Sequence, residues 1–390
     1  MDSTDATRQT AAGDAFGFGP GPRLRSTSKV LPEQARAHNR ALVLQTLYHR
    51  GAMSRADLAR ETSLTRVTIS DLVAESIADG IIHEIGVRER SGPGKPPIVI
   101  DIDREGHQVI GLDLSGTTEF EGSVLDLGGR AIRKAAVPLP DRLEPEDVYE
   151  AVLRLSHELV SGATRPVLGI GIGTPGVVGS DGLVVRAPNL AWHDFPLGDR
   201  IAADLGLPVV VRNDANAAII AEYTLGDALA DVMLIRIGRG VGAGLIAGGR
   251  PLVGARSAAG EIGHVVVGAD GGPKCVCGRI GCLEAWVNVP RLSAAAGLAP
   301  ADRAELLADA GTRLGMVVAP IVAALDLAEV VISGPAEQLP GEFIGAVSHA
   351  LRERTLEGVF GDVAVRLSRQ DDIVTRGAGA LVLSAQLGVS

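Results

Sequence analysis

Aromatic side chains are scarce in this sequence of 390 residues, at 3% of the whole. The 46% hydrophobic content therefore rests on Ala, Val, Leu and Ile, and together with 50 glycines it suits an α/β protein. An unbroken apolar run long enough to span a bilayer is missing. The longest candidate, Leu314 to Ile332, contains Pro320, Asp326 and Glu329 and reads as a core helix followed by a buried strand. A basic, apolar, small-residue leader is also missing, so the expectation is a cytoplasmic protein with no membrane partner. Positive charge is not in excess either, since the net charge is −10. Its distribution is uneven: residues 23–100 hold 12 Lys and Arg against 8 Asp and Glu, while the body that follows is strongly acidic. A mildly basic front part before an acidic body confines any nucleic-acid contact to the N-terminal region.

Cysteine is the rarest informative residue. There are three, Cys275, Cys277 and Cys282, and all fall between Glu261 and Glu284. An odd count leaves one thiol over in any disulfide scheme, and nothing marks secretion, so a disulfide is the weaker reading. Three sulfurs in a C-x-C-x4-C window, with His264 just upstream, are the donor set of a tetrahedral structural zinc. Gly278 and Gly281 stand where the loop must fold back for all the sulfurs to reach one ion.

In chain order, residues 1–28 are rich in Gly, Ser, Thr and Ala, with Pro20 and Pro22, and read as a disordered leader. Residues 29–104 read as a winged helix-turn-helix. A first helix carries Leu42, Val43, Leu47 and Tyr48 at helical spacing and ends at Gly51. Ser54 caps a second helix, with Asp57 at the capping-box position. Thr65 caps a third, whose expected apolar face is Val67, Ile69, Leu72, Val73 and Ile77. A strand from Ile81, a loop with Arg88, Arg90 and Lys95, and a strand from Ile98 to Ile102 make the wing. Thr65, Arg66, Thr68 and Ser70 are the polar residues of the third helix's first turns, hence candidates for operator contact, with Lys95 a candidate for phosphate. Asp71 beside them is either a solvated side chain or one that reads cytosine or pairs with an arginine.

From Val109 the pattern becomes α/β. Two strand–glycine loop–strand units, at Val109–Leu127 and from Met233 through Gly238-Arg-Gly-Val-Gly-Ala-Gly244, open two lobes. The first lobe is expected over 105–212 with a C-terminal helix at 375–390, the second over 213–374. Asn213-Asp214 follows a strand and opens a helix, which by itself suits a plain helix cap.

Two stretches carry a family likeness. Glu261-Ile-Gly-His264 and Cys275-Val-Cys-Gly-Arg-Ile-Gly-Cys282-Leu-Glu284 resemble the ROK family of sugar kinases and sugar-responsive repressors, and residues 33–102 resemble the DNA-binding domain of its repressors. The resemblance implies a duplicated actin-like, ribonuclease-H-like ATPase fold behind the winged helix-turn-helix. It implies a structural Zn2+ on His264, Cys275, Cys277 and Cys282, and a sugar or sugar phosphate held by Asn213, Asp214, Glu261, His264 and Glu284. In a family kinase Asp214 would be the catalytic base. The nucleotide loops depart from the kinase pattern: Ser115 replaces a Gly, Thr118 a Lys, Arg239 a Thr, and Pro335 a Gly. ATP and Mg2+ are therefore not expected as cofactors. The expected function is a sugar-responsive repressor acting as a homodimer or homotetramer on operator DNA, the alternatives being a sugar kinase with a DNA-binding domain and a regulator answering to a protein partner.

Overall fold

The computed structural model describes residues 32–87, 96–140, 143–268, 271–356, 358–359 and 363–389. The expected leader, and the wing loop with Arg88, Arg90 and Lys95, lie outside them. The chain divides into two compact units, one formed by residues up to Asp103 and from Leu383 onward, the other by Arg104–Val382.

In the first unit α1 (Pro32–Arg50) precedes β1 (Met53–Ser54), α2 (Arg55–Thr62), α3 (Arg66–Ala78), β2 (Ile82–Val87) and β3 (Ile98–Ile102). Ser54 and Asp57 form the reciprocal capping box at α2, and Ser63 ends that helix in the left-handed conformation at φ 58°. That single turn reverses the chain, and Thr65 then caps α3 by accepting from the Thr68 N–H. Leu44, Leu47, Leu58, Ile69, Leu72 and Ile100 bury their side chains between the helices and the antiparallel sheet β1-β3-β2. Arg36 and Arg40 of α1 pair with Glu75 and Asp79 at the end of α3. The first strand, β1, is only two residues long and was not expected. From Leu383 the C-terminal segment belongs to this unit, where Gly388 stands against Ala41 with no room for a Cβ.

The second unit repeats one design. Its first sheet uses β4 (Gln108–Asp113), β5 (Glu119–Asp126), β6 (Ala131–Pro138), β7 (Val167–Thr174) and later β11. Helix α4 (Pro145–Gly162) links β6 to β7. A small sheet of β8 (Val177–Val178), β9 (Val184–Ala187) and β10 (Trp192–Phe195), then α5 (Leu197–Leu205), comes before β11 (Val209–Asn213). Helix α6 (Asp214–Leu225) leads into β12 (Val232–Ile237), β13 (Val241–Ala247) and β14 (Arg250–Pro251). Helices α7 (Leu283–Val287), α8 (Val289–Ala294) and α9 (Pro300–Leu325), β15 (Glu329–Ser333), α10 (Gly341–Arg354), β16 (Ala364–Leu367) and α11 (Ile373–Leu387) complete it.

The sheet orders are β6-β5-β4-β7-β11 and β14-β13-β12-β15-β16. In both, the first three strands pair antiparallel as a meander and the last two join parallel beside the first. Read by order of appearance, each lobe is therefore 3-2-1-4-5. This is the duplicated actin-like, ribonuclease-H-like architecture. Each lobe has its own apolar core, one around Ile110, Val152, Ile170 and Trp192, the other around Ile235, Leu314, Val330 and Phe343. Helix α11 lies against the first sheet with its backbone in contact: a Cβ at Gly111 or Gly171 would stand 1.9 Å from the carbonyl oxygen of Thr375 or Ala378. Glycine is thus needed at both strand positions for the helix to approach. Among the described residues α9 is the one helix long and apolar enough to cross a bilayer, and half of its most apolar window is buried inside the protein.

Candidate functional site

A cavity of about 630 Å3 opens between the lobes, within the usual range for small-ligand pockets. Its wall includes all five residues expected at a sugar: Asn213, Asp214, Glu261, His264 and Glu284. Pro175 and Gly176, and Pro188-Asn189-Leu190, supply the opposite side.

Asn213 ends β11 and caps α6. Its Oδ1 accepts from the N–H groups of Ala215 and Asn216, at 2.9 and 3.2 Å, and its Nδ2 donates to the Gly176 carbonyl at 3.0 Å. The side chain thus ties the helix start to the loop after β7. Asp214, the first residue of α6, accepts from Arg236 Nη1 at 2.7 Å. Loss of hydration raises the Asp214 carboxyl above its usual range; Arg236 opposes this and Asp113 adds to it. Glu261 is likewise raised, chiefly by desolvation, with His264 opposing and Asp214 and Glu284 contributing. Glu284, in the first turn of α7, takes the Val241 N–H at 3.3 Å. It can lie against the second glycine loop because Gly240 has no side chain: a Cβ there would be 2.5 Å from Glu284 Oε2.

Behind the cavity wall the cysteine loop folds as its glycines require, with Gly278 at φ 90° and Gly281 at φ 79°. Cys275 N–H donates to the Arg279 carbonyl, and Val267 N–H to that of Gly281, so the loop is tied to itself and to the segment after His264. One donor atom from each of His264, Cys275, Cys277 and Cys282 lies within 4.8 Å of all the others, forming a group that can hold a metal ion. The Cys277 and Cys282 sulfurs are 3.6 Å apart, and Cys275 Sγ is 3.6 Å from His264 Nδ1. Metal–sulfur bonds of about 2.3 Å in a tetrahedron place sulfurs roughly 3.8 Å apart, so the spacing fits. Burial pushes the Cys275 thiol up to about 12 and raises Cys282, whereas the Arg279 backbone N–H holds Cys277 below its usual value. A cation would compensate the two buried sulfurs. With Nδ1 turned to the sulfurs, His264 keeps Nε2 for another partner.

The first glycine loop, after β4, is tied back on Asp113. Asp113 Oδ1 accepts the Ser115 N–H at 2.8 Å and also the Ser115 hydroxyl. The residue in the glycine's place therefore closes its loop on Asp113 instead of leaving a backbone N–H for phosphate. Asp113 Oδ2 accepts from Arg236 Nη2 at 3.3 Å. Arg236 was not anticipated from the sequence; its only signal is a lone charge within the apolar strand Val232–Ile237.

In the N-terminal unit Arg66 and Ser70 are exposed on α3, and Thr65 and Thr68 hydrogen-bond to each other at its start. Arg66 and Ser70 bond to no other described side chain. One expectation is corrected: Val67, assigned to the apolar face, is 71% exposed beside Arg66. Two positions before Ile69 put it about 200° round the helix, on the face opposite Ile69, Leu72 and Val73, which turn inward.

The family model described as ROK family matches residues 109–385. A xylose repressor from Caldicellulosiruptor bescii is 26% identical over 386 residues, covering 90% of this chain and 96% of that one. Other curated relatives, xylose repressors and glucokinases among them, are matched over less than two thirds of their own length. Among solved structures, a ROK family transcriptional regulator homologous to the E. coli MLC protein superposes with a TM-score of 0.79 at 25% identity, over 90% of this chain and 97% of that one. A ROK family glucokinase from Streptomyces griseus, in complex with glucose and AMPPNP, superposes at 0.61 with 25% identity, over 70% of this chain and 98% of that one. Matched along most of its length by the family model, and alike in fold to both a regulator and a kinase, the chain belongs to the ROK family.

Proposed function

We propose that the protein is a sugar-responsive transcriptional repressor. The observation that supports the reading is the union, in one chain, of a helix-turn-helix with a polar, exposed α3 start and a ROK body whose cavity wall carries all five residues expected at a sugar while its first glycine loop is tied back on Asp113. Thr65, Arg66, Thr68 and Ser70, joined by Val67 and by Lys95 from the wing segment, contact operator DNA. Arg66 and Ser70 suit base edges and Val67 a thymine methyl. Asn213, Asp214, Glu261, His264 and Glu284 hold the effector, carboxylates accepting from adjacent hydroxyls and Asn213 bracing the helix that presents Asp214. Xylose is the first sugar to test, given the xylose repressors among the relatives.

The metal is zinc, since three sulfurs and one imidazole nitrogen at tetrahedral spacing suit it best. Bound there, zinc would neutralise the thiolates and pin the loop that presents His264 and Glu284. The protein acts in the cytoplasm as a homodimer or homotetramer, since helix-turn-helix proteins read paired half-sites. Residues 29–104 serve as the DNA-binding domain and 105–382 as the sensing body, the segment from Leu383 belonging with the former.

The test is operator selection from random-sequence DNA, followed by gel shifts with a panel of sugars and sugar phosphates and an ATP-consumption assay on the same samples. One sugar should release the DNA without ATP turnover. The kinase alternative keeps one supporting observation, Asp214 in the cavity wall. Turnover of about one per second or faster, within the ordinary enzyme range, would replace the repressor reading with it. Failure to select any DNA sequence would remove the repressor reading outright.

A further inference from the structure

Arg236 joins three pieces of chain that meet at the floor of the cavity. It projects from β12 of the second lobe. Its Nη1 donates to Asp214 at the head of α6, and its Nη2 to Asp113 at the end of β4 in the first lobe. The side chains are largely shielded from water, with relative exposures of 21% for Arg236, 17% for Asp113 and 15% for Asp214. Both oxygens of Asp113 are engaged, Oδ1 by the N–H and hydroxyl of Ser115 and Oδ2 by Arg236.

Two carboxylates from separate elements, converging in a cleft, are the usual purchase for a hard divalent cation. A nucleotide phosphoryl donor needs such a cation to bridge and neutralise its phosphates. Here a cation is already present, covalently part of the fold. We infer that Arg236 is a built-in counter-cation that takes the place of a divalent metal between Asp113 and Asp214, and so fixes the cleft as a receptor instead of a phosphoryl-transfer site. The inference deepens the repressor reading and rests on it for the word receptor. Its physical content, the exclusion of a metal, stands separately. Arg236 is accordingly a positioning residue: it sets where Asp214 is held and what can approach it. A guanidinium suits the task because it stays charged at every accessible pH and its planar fork reaches two carboxylates at once.

The experiment measures Mn2+ binding by the loss of the free-ion signal in electron paramagnetic resonance, on full-length zinc-loaded protein. Wild type, Asp113→Asn, Arg236→Ala, Arg236→Gln, Arg236→Lys and Arg236→Ala/Asp113→Asn are compared. Arg236→Ala and Arg236→Gln should each gain a Mn2+ site about tenfold or more tighter than anything in wild type, because their carboxylates are no longer paired internally. Arg236→Lys keeps a cation and should restore the exclusion, and Asp113→Asn should abolish the gained site. Glutamine retains donors without charge, so it serves if alanine unfolds the cleft. The inference is overturned if folded Arg236→Gln or Arg236→Ala gains no site, if the gain survives Asp113→Asn, or if wild type itself binds Mn2+ in a manner lost in Asp113→Asn. Gel shifts on the same preparations report separately on the repressor reading, since DNA binding and Mn2+ uptake can fail independently.

Discussion

Helix α6 presents Asp214 at one end and is anchored at the other by an ion cluster, and removing that anchor gives a measurable loss. Glu222, whose side chain is 2% exposed, accepts from Arg366 Nη2 at 3.1 Å and from the Ser368 hydroxyl. Arg366 Nε also donates to Glu329 at 2.5 Å, a side chain only 7% exposed. Arg366→Met would leave two carboxylates with little access to water and no cation. Breaking a buried pair from one side typically costs about 3–5 kcal/mol. With a urea dependence of about 3 kcal/mol per molar, the upper end of the usual range as suits a protein of this size, the midpoint should fall by roughly 1–2 M. The diagnostic companion is Arg366→Met/Glu222→Gln/Glu329→Gln, in which the stranded charges are gone and only hydrogen bonds are weakened. It should recover most of the loss, leaving about 1 kcal/mol per imperfect hydrogen bond. Urea unfolding followed by circular dichroism and by tryptophan fluorescence reads both. A midpoint for Arg366→Met within about 0.3 M of wild type, well inside the expected fall, would refute the argument, as would a triple variant no better than the single one.

Three further expectations follow from the site. Elemental analysis should find about one zinc per chain, the content of a single four-coordinate site, and Cys277→Ser should lose it together with sugar binding; a metal-free protein that binds sugar normally would contradict this. Arg66→Ala and Val67→Ala should each lower the preference for operator over random DNA by about 1–3 kcal/mol, read by competition gel shift, and an unchanged preference would remove α3 from the interface. The third concerns pH. Desolvation raises the Asp214 and Glu121 carboxyls, with Asp113 close to both. The unfolded chain therefore loses these protons first, and their contribution to stability falls as pH rises from the ordinary carboxyl range through their raised values. As pH rises above the ordinary carboxyl range of about 4, wild type should lose urea resistance relative to Asp214→Asn/Glu121→Gln, and parallel profiles would refute the assignment.

Much of this architecture was legible because local chemistry and tertiary structure agree. Ser54, Asp57 and Thr65 cap the helices they were expected to cap, and the strand Ile98–Ile102 has the expected bounds. The cysteine window announces its geometry through glycines that only a reversing loop requires. What escaped has a physical reason in each case. Strand β6 pairs only with β5 and keeps no residue fully buried, so Ala131–Pro138 lacks the alternation that marks a half-buried strand. The strands β8 to β10 are two to four residues long, too short for a period to show. Val67 was misplaced because its hydrophobicity outweighed its phase, about 200° round the helix from Ile69. Arg236 was missed because its partners lie 22 and 123 residues away, and nothing local brings them together.

The repetition of one strand order in both lobes bears on how the body can be divided. Each lobe has its own apolar core, yet α11, which lies on the first sheet, comes from the second half of the sequence. The charges add to that dependence. A severed first sheet keeps Asp113, and a severed second sheet keeps Arg236, each shielded from water and without its counterion. Fragments cut in the segment between α6 and β12 should therefore be poorly soluble alone and should recover a common fold when mixed. The cavity proposed to take the sugar is also the seam that joins the halves, so its occupancy and the assembly of such fragments would be linked equilibria, a bound sugar raising the affinity of one half for the other.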